Sequence, residues 1–309
     1  MLWTLSEHHF RQAGRRWLFA LLACPLVAVA ADQRATVTLL EGPGTIVRGV
    51  TRYALAEGVR LQAGDIIEMS DKGLAQIEFA DGAALALGAG TRMLTREKSA
   101  NGDYYVTQGE LKLAGVKQGS NYRFMTPVFT LQPVEGIVVL VVAKGEGSVF
   151  TESGEARVTE PTVKGAPAPA PLRMKSGEFY TRKADQKSAV APRPSQAFIG
   201  ALPRIFLDPL PTRIARYKDR EVQPKRGDDA TYAEVETWLK APPEIRRPLI
   251  PRFRPRIHDP EFRSGLVANL KSHPEWDPIL FPEKYKPKEP PTTPTARSEP
   301  APAKPGATQ

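Results

Sequence analysis

The chain has 309 residues and a formal charge of +9, with 43 Lys and Arg against 34 Asp and Glu. Its one cysteine excludes an internal disulfide or a paired-thiol centre. Beyond the first 31 residues, no apolar run approaches the roughly 18 residues that a membrane-spanning helix needs.

Residues 1–31 read as a secretory signal. Arg11, Arg15 and Arg16 give a positive start, and Trp17 to Val29 is apolar but interrupted by Cys24 and Pro25. Ala28-Val29-Ala30 has the small-x-small spacing of a cleavage site. The apolar run of about 13 residues is short for a span. Cleavage after Ala30 or Ala31 would leave a cysteine-free periplasmic chain, as suits an exported protein. Two alternatives stand beside this: an uncleaved N-terminal anchor, and lipidation at Cys24, for which Leu21-Leu22-Ala23-Cys24 is a partial match.

Residues 35–182 read as a β-domain. Ala35 to Leu40 is the first expected strand, Glu41-Gly42-Pro43-Gly44 breaks it, and Thr45 to Ala54 makes a second pass. Gly64-Asp65 is a turn pair, in which Gly supplies positive φ and the Asp side chain can bond local backbone. Ile66 to Met69 is a short strand. From Leu74 to Phe79 the apolar set Ala75, Ile77, Phe79 alternates with Leu74, Gln76, Glu78, the pattern of a strand with one face buried. Asp81-Gly82 between apolar runs predicts a type I′ hairpin. Further short strands follow to Met125. Ile137 to Val142 is a continuous apolar run bounded by Gly136 and Lys144-Gly145, as expected of a strand buried on both faces. Pro161 to Pro171 reads as a loop. About a dozen short strands imply a mainly β domain, a sandwich or β-roll, and not a βαβ unit.

The order Gly-x-x-Leu-x-x-Gly-Asp (Gly58 to Asp65), apolar strand, turn, then Ala75 to Ala83 with its Asp81-Gly82 hairpin, resembles the FecR domain family. The resemblance extends from about Val37 to Arg182. It implies an envelope location and possible sensing. The Arg-Gly-Thr turn usual in that family is Glu135-Gly136-Ile137 here, which weakens transfer of any function resting on it. Family members that regulate sigma factors carry a cytoplasmic domain before their span. Only about 16 residues precede the apolar run here, so that role ranks low.

Residues 183–202 read as a Pro/Ala/Lys linker, 203–285 as a small helical, Pro- and Arg-rich C-terminal region, and 286–309 as a disordered Pro-rich tail. Asp228-Asp229 is an expected cap for a helix over 230–240, where Val235, Trp238 and Leu239 share one face. Asp259-Pro260 is an expected start for a second helix reaching His273. Between them lie Arg246, Arg247, Arg252, Arg254 and Arg256 with no acid among them. This run is either an anionic-partner surface or a linker whose arginines pair with acids on the flanking helices.

No catalytic constellation, metal site or cofactor motif emerges. His258 and His273 lack partners at i+4, Gly88-Ala89-Gly90 does not open a helix, and there is no G-x-S-x-G. Gly64, Asp65, Asp81, Gly82 and Gly136 read as structural turn residues. The expectation is a non-catalytic, exported binding or scaffolding module with an envelope protein or glycan as partner and no nucleic acid. An envelope sensor or regulator is the alternative, and a cell-wall hydrolase is disfavoured by the missing acid pair. Oligomeric state is left open.

Overall fold

The computed structural model describes residues 35–96, 102–162, 167–184 and 186–286; the expected signal segment 1–31, and all but the first residue of the expected tail 286–309, lie outside them. The fold is mainly β. In chain order the strands are β1 (Thr36–Glu41), β2 (Gly44–Arg48), β3 (Thr51–Ala54), β4 (Ile66–Met69), β5 (Leu74–Glu78), β6 (Ala84–Leu87) and β7 (Arg92–Thr95). There follow β8 (Asp103–Val116), β9 (Arg123–Met125), β10 (Thr130–Ala143), β11 (Glu146–Thr159), β12 (Leu172–Lys175), β13 (Phe179–Lys183), β14 (Ala189–Ala191) and β15 (Lys225–Asp229). They form one hydrogen-bonded sheet whose main path runs β14-β13-β11-β10-β9-β8-β7-β4-β2-β3-β15, with β1, β5 and β6 joined to it through β8. Side chains from β1 through β13 meet in one inner core, including Val37, Ile46, Ile67, Leu85, Val106, Leu140 and Tyr180.

The outer face is covered as well. Strand residues alternate sides, so Ile46, Ile67, Met93 and Val106 point inward while Val47, Ile66, Leu94 and Tyr105 point outward. The outward four are cross-strand partners in one row across β2, β4, β7 and β8. The C-terminal helices lie on that row: α3 (Tyr232–Leu239), α4 (Pro243–Arg246), α5 (Leu249–Phe253), α6 (Pro260–Ala268) and α7 (Asp277–Leu280); α1 and α2 precede them and are described below. Trp238 is fully buried and meets Tyr105 edge-on, with centroids 6.4 Å apart.

Several local expectations change. The Asp81-Gly82 loop is not a two-residue type I′ turn. Gly82 N–H bonds Phe79 O at 3.0 Å and Phe79 N–H bonds Ala83 O at 2.9 Å. Three residues therefore make the loop, and Gly82 takes φ +92, the bulged three-residue hairpin. Leu74 to Phe79 is not half-buried: Gln76 and Glu78 are 0% and 4% exposed, because chain from the C-terminal region lies over them. Gly136 is not in a turn before a strand; it sits within β10 at a register shift. Asp228-Asp229 ends β15, which pairs with β3, and α3 is capped instead by Thr231 with Glu234 in a capping box. Asp259 does cap α6, accepting from Glu261 and Phe262 N–H, but that helix ends at Ala268. The stretch read as a linker contains β14, paired with β13, and helix α1 (Gln196–Ala201).

Candidate functional site

The C-terminal chain crosses the outer face strand by strand. Val139, Lys112, Ala86 and Gln76 are successive cross-strand partners on β10, β8, β6 and β5, a row spanning roughly 14 Å at the usual strand spacing. Leu202 and Phe206, the latter on α2 (Arg204–Leu207), cover Val139 and Ala86. Lys112, 1% exposed, donates from Nζ to Phe206 O at 2.7 Å and also meets Glu152 at 2.9 Å. Gln76 Nε2 donates to Pro211 O at 2.5 Å. Glu78 accepts the N–H of Arg213 and of Ile214. Tyr217 then packs at Gly58, and Val222 N–H bonds Gly58 O at 3.2 Å. Residues 203–226 thus form a strap fixed largely through its backbone, with its long polar side chains directed outward.

The five arginines of the 246–256 run differ in what they bind. Arg246 binds Glu275 in a fork, both contacts at 2.9 Å, and Arg247 reaches the same carboxylate at 3.3 Å. Their hydrogen bonds, those of Arg246 first, hold the Glu275 carboxyl below its usual range. Arg256 meets Asp259 at 2.7 Å and Asp229 at 3.4 Å. Arg252 donates to the carbonyls of Val47, Gly49 and Gly64, tying α5 to two turns of the sheet. Arg254 is exposed. Three of the five are therefore engaged by carboxylates and one by backbone.

The turn residues hold structure. Gly64 has φ +83. Asp65, fully buried, accepts Arg48 through both oxygens at 2.9 and 2.8 Å and Gln62 N–H at 2.8 Å. The bond to Asp65 raises the Arg48 pKa. Asp81 accepts Ala83 N–H at 3.0 Å and the Tyr122 hydroxyl at 2.8 Å. Burial, then that bond, pushes the Tyr122 phenol up. His273 is buried and its Nε2 lies 3.0 Å from the Tyr232 hydroxyl.

A cleft of about 210 Å³ opens beside Arg252, between the Leu94-Thr95-Arg96 end of β7 and Glu244, Ile245 and Leu249. Tyr105 lies nearby, pushed up to about 12 by burial and then by the Glu244 charge. Among the described residues no group of three or more His, Cys, Asp or Glu is placed to hold a metal ion, and no helix is long and apolar enough to cross a membrane.

The cationic residues that the sequence reading passed over are on the strap. Arg204, Arg216, Lys218, Arg220, Lys225 and Arg226 are all exposed. Residues 203–226 also hold Arg213, against the acids Asp208, Asp219 and Glu221. That imbalance is readable in the sequence, but the interspersed acids and prolines make it less conspicuous than the acid-free run 246–256.

Neither a protein-family model nor a curated protein matches the sequence. Two crystal structures of a "putative anti-sigma factor" from Parabacteroides distasonis ATCC 8503 are similar to it, with 16% and 14% identity and a TM-score of 0.37 each. The alignments cover 43% of this chain and 62% of those chains, less than two thirds of their length.

Proposed function

We propose that the chain is a non-catalytic binding or scaffolding module of FecR-domain type, exported to the cell envelope. One observation carries this reading: the buried Asp and Glu carboxylates and the buried Lys112 are spent on architecture. Asp65 closes on Arg48, and Asp103 on Arg96 and Arg123. Glu78 and Lys112 bind the backbone of the strap. Such groups, satisfied by fixed partners, make a rigid support for surface recognition. The Gly58 to Asp81 pattern and the expected signal segment favour export.

Cell fractionation with intact-mass measurement tests the reading. A soluble periplasmic chain starting at Ala31 or Asp32 is expected. An unprocessed chain confined to the cytoplasm would sink export, and a specific turnover abolished by substitution at unchanged melting temperature would sink the non-catalytic assignment.

A further inference from the structure

The structure points to the strap, not the 246–256 arginines, as the surface that meets an anionic partner, and we infer that the partner is an anionic lipid bilayer.

Two independent observations carry this. The first is unbalanced charge held on a fixed support. Arg216, Lys218, Arg220 and Lys225 are exposed, and among the described residues none of the four has a side-chain ion pair, while Arg60 reaches Glu221 at 3.5 Å and so offsets one of the strap's few acids. The strap backbone beneath them is anchored at Gln76, Glu78 and Gly58 and pairs with β3 at Lys225, so these cations are carried on a fixed segment. By contrast, Arg246, Arg247 and Arg256 already sit against carboxylates. The second is an apolar tip. Leu207 is 53% exposed while its neighbour Phe206 is 1% exposed and seated on the sheet. Leu207 lies on the same crossing segment, directed away from the sheet. Unpaired cations and an exposed aliphatic side chain on one anchored segment suit a bilayer interface, where head groups take the charge and the acyl boundary takes the apolar tip. A soluble polyanion would use the cations and leave Leu207 in water.

This names a partner that the module reading leaves open and rests on that reading. The test is co-sedimentation of the full chain with vesicles of phosphatidylcholine mixed with phosphatidylglycerol, and of phosphatidylcholine alone, at low and high salt. The readout is the difference in mixed-vesicle binding between the parent chain and the strap variants, since the N-terminal arginines, common to both, would themselves favour the anionic vesicles. Binding to the mixed vesicles should fall with salt. Neutralising Arg216→Gln, Lys218→Gln and Arg220→Gln together should weaken it roughly hundredfold, at about fivefold per cation. Leu207→Asn should weaken it at both salt levels. If the triple variant fails to melt like the parent chain, Lys225→Gln with Arg226→Gln serves in its place. Equal affinity for the two vesicle types, unchanged binding by the variants, or salt-dependent binding to dextran sulfate without vesicle binding would overturn the lipid assignment. Those outcomes leave the module reading standing, since it falls only to the fractionation or turnover results above.

Discussion

The Glu78 carboxylate holds the backbone of Arg213: Oε1 accepts the Arg213 N–H at 2.7 Å, and Oε2 accepts that of Ile214 at 3.1 Å. A strand residue near the start of the domain thereby fixes the strap 135 residues later. Thr38 Oγ1 donates to the same carboxylate at 2.7 Å. Hydrogen bonds to a charged acceptor contribute about 1.5–3 kcal/mol each, and orphaned buried donors add to the loss. Glu78→Ala is expected to cost about 3 kcal/mol in urea denaturation. It should also open the strap to limited proteolysis between residues 203 and 226, which Glu78→Gln, keeping one acceptor, should do less.

The Arg48–Asp65 pair makes a different prediction. Its carboxylate is 0% exposed and its guanidinium side chain 21% exposed. Removing one partner of a buried pair strands the other, so Asp65→Ala should cost about 3–5 kcal/mol. The double change Arg48→Met with Asp65→Leu should recover part of that loss, since no charge is left stranded. A double-mutant cycle by urea denaturation measures both.

Gly136 and Gly154 face each other across β10 and β11 with φ +92 and +78. A Cβ at Gly136 would stand 2.3 Å from Ser153 O. Left-handed backbone and the clash both penalise a side chain, so Gly136→Ala should lower stability by about 3 kcal/mol or more. Gly145→Ala is the useful comparison, because its φ is +72 but nothing lies within 4 Å of the added carbon. Its cost should be confined to the roughly 1–2 kcal/mol of the backbone term, and thermal melts of the two variants separate strain from collision.

His273 sets a pH dependence. Burial, assisted by Lys240 and Arg246 and opposed by Glu275, holds its pKa below the usual value. The unfolded chain, with a histidine near 6.5, then binds the proton more readily than the fold does. Stability from this group is full above about pH 6.5 and is lost as pH falls from there through the lowered folded value. Carboxylates such as Glu275 titrate lower still, so the first loss on acidification belongs to His273. Urea midpoints at successive pH values should show this slope in the parent chain and a flatter one in His273→Gln.

Much of the β-domain could be read locally. β4 matches the expected strand residue for residue, the Ile137 to Val142 run lies within β10 with Val138, Val139, Leu140 and Val142 buried, and Asp259 caps α6. Val235, Trp238 and Leu239 form the buried face of α3. The misreading of β5 has a long-range cause. Gln76 and Glu78 look solvent-facing because the groups that satisfy them, Pro211 O and the Arg213 and Ile214 amides, lie about 135 residues away and are backbone atoms. One available signal was overlooked: paired apolar residues at Ile46-Val47, Ile66-Ile67, Met93-Leu94 and Tyr104-Tyr105, which mark strands covered on both faces.

Sequence alone determined what short-range forces decide: strand alternation, glycines at positive φ, helix caps, and an excess of positive charge. Tertiary structure decided which of those charges remain for a partner. Arg246 and Arg247 are taken up by Glu275, which folds back from 28–29 residues further on, while the strap cations stay outward because the sheet grips that segment by its backbone. Ion pairing depends on which distant segments meet, and no local pattern encodes that meeting.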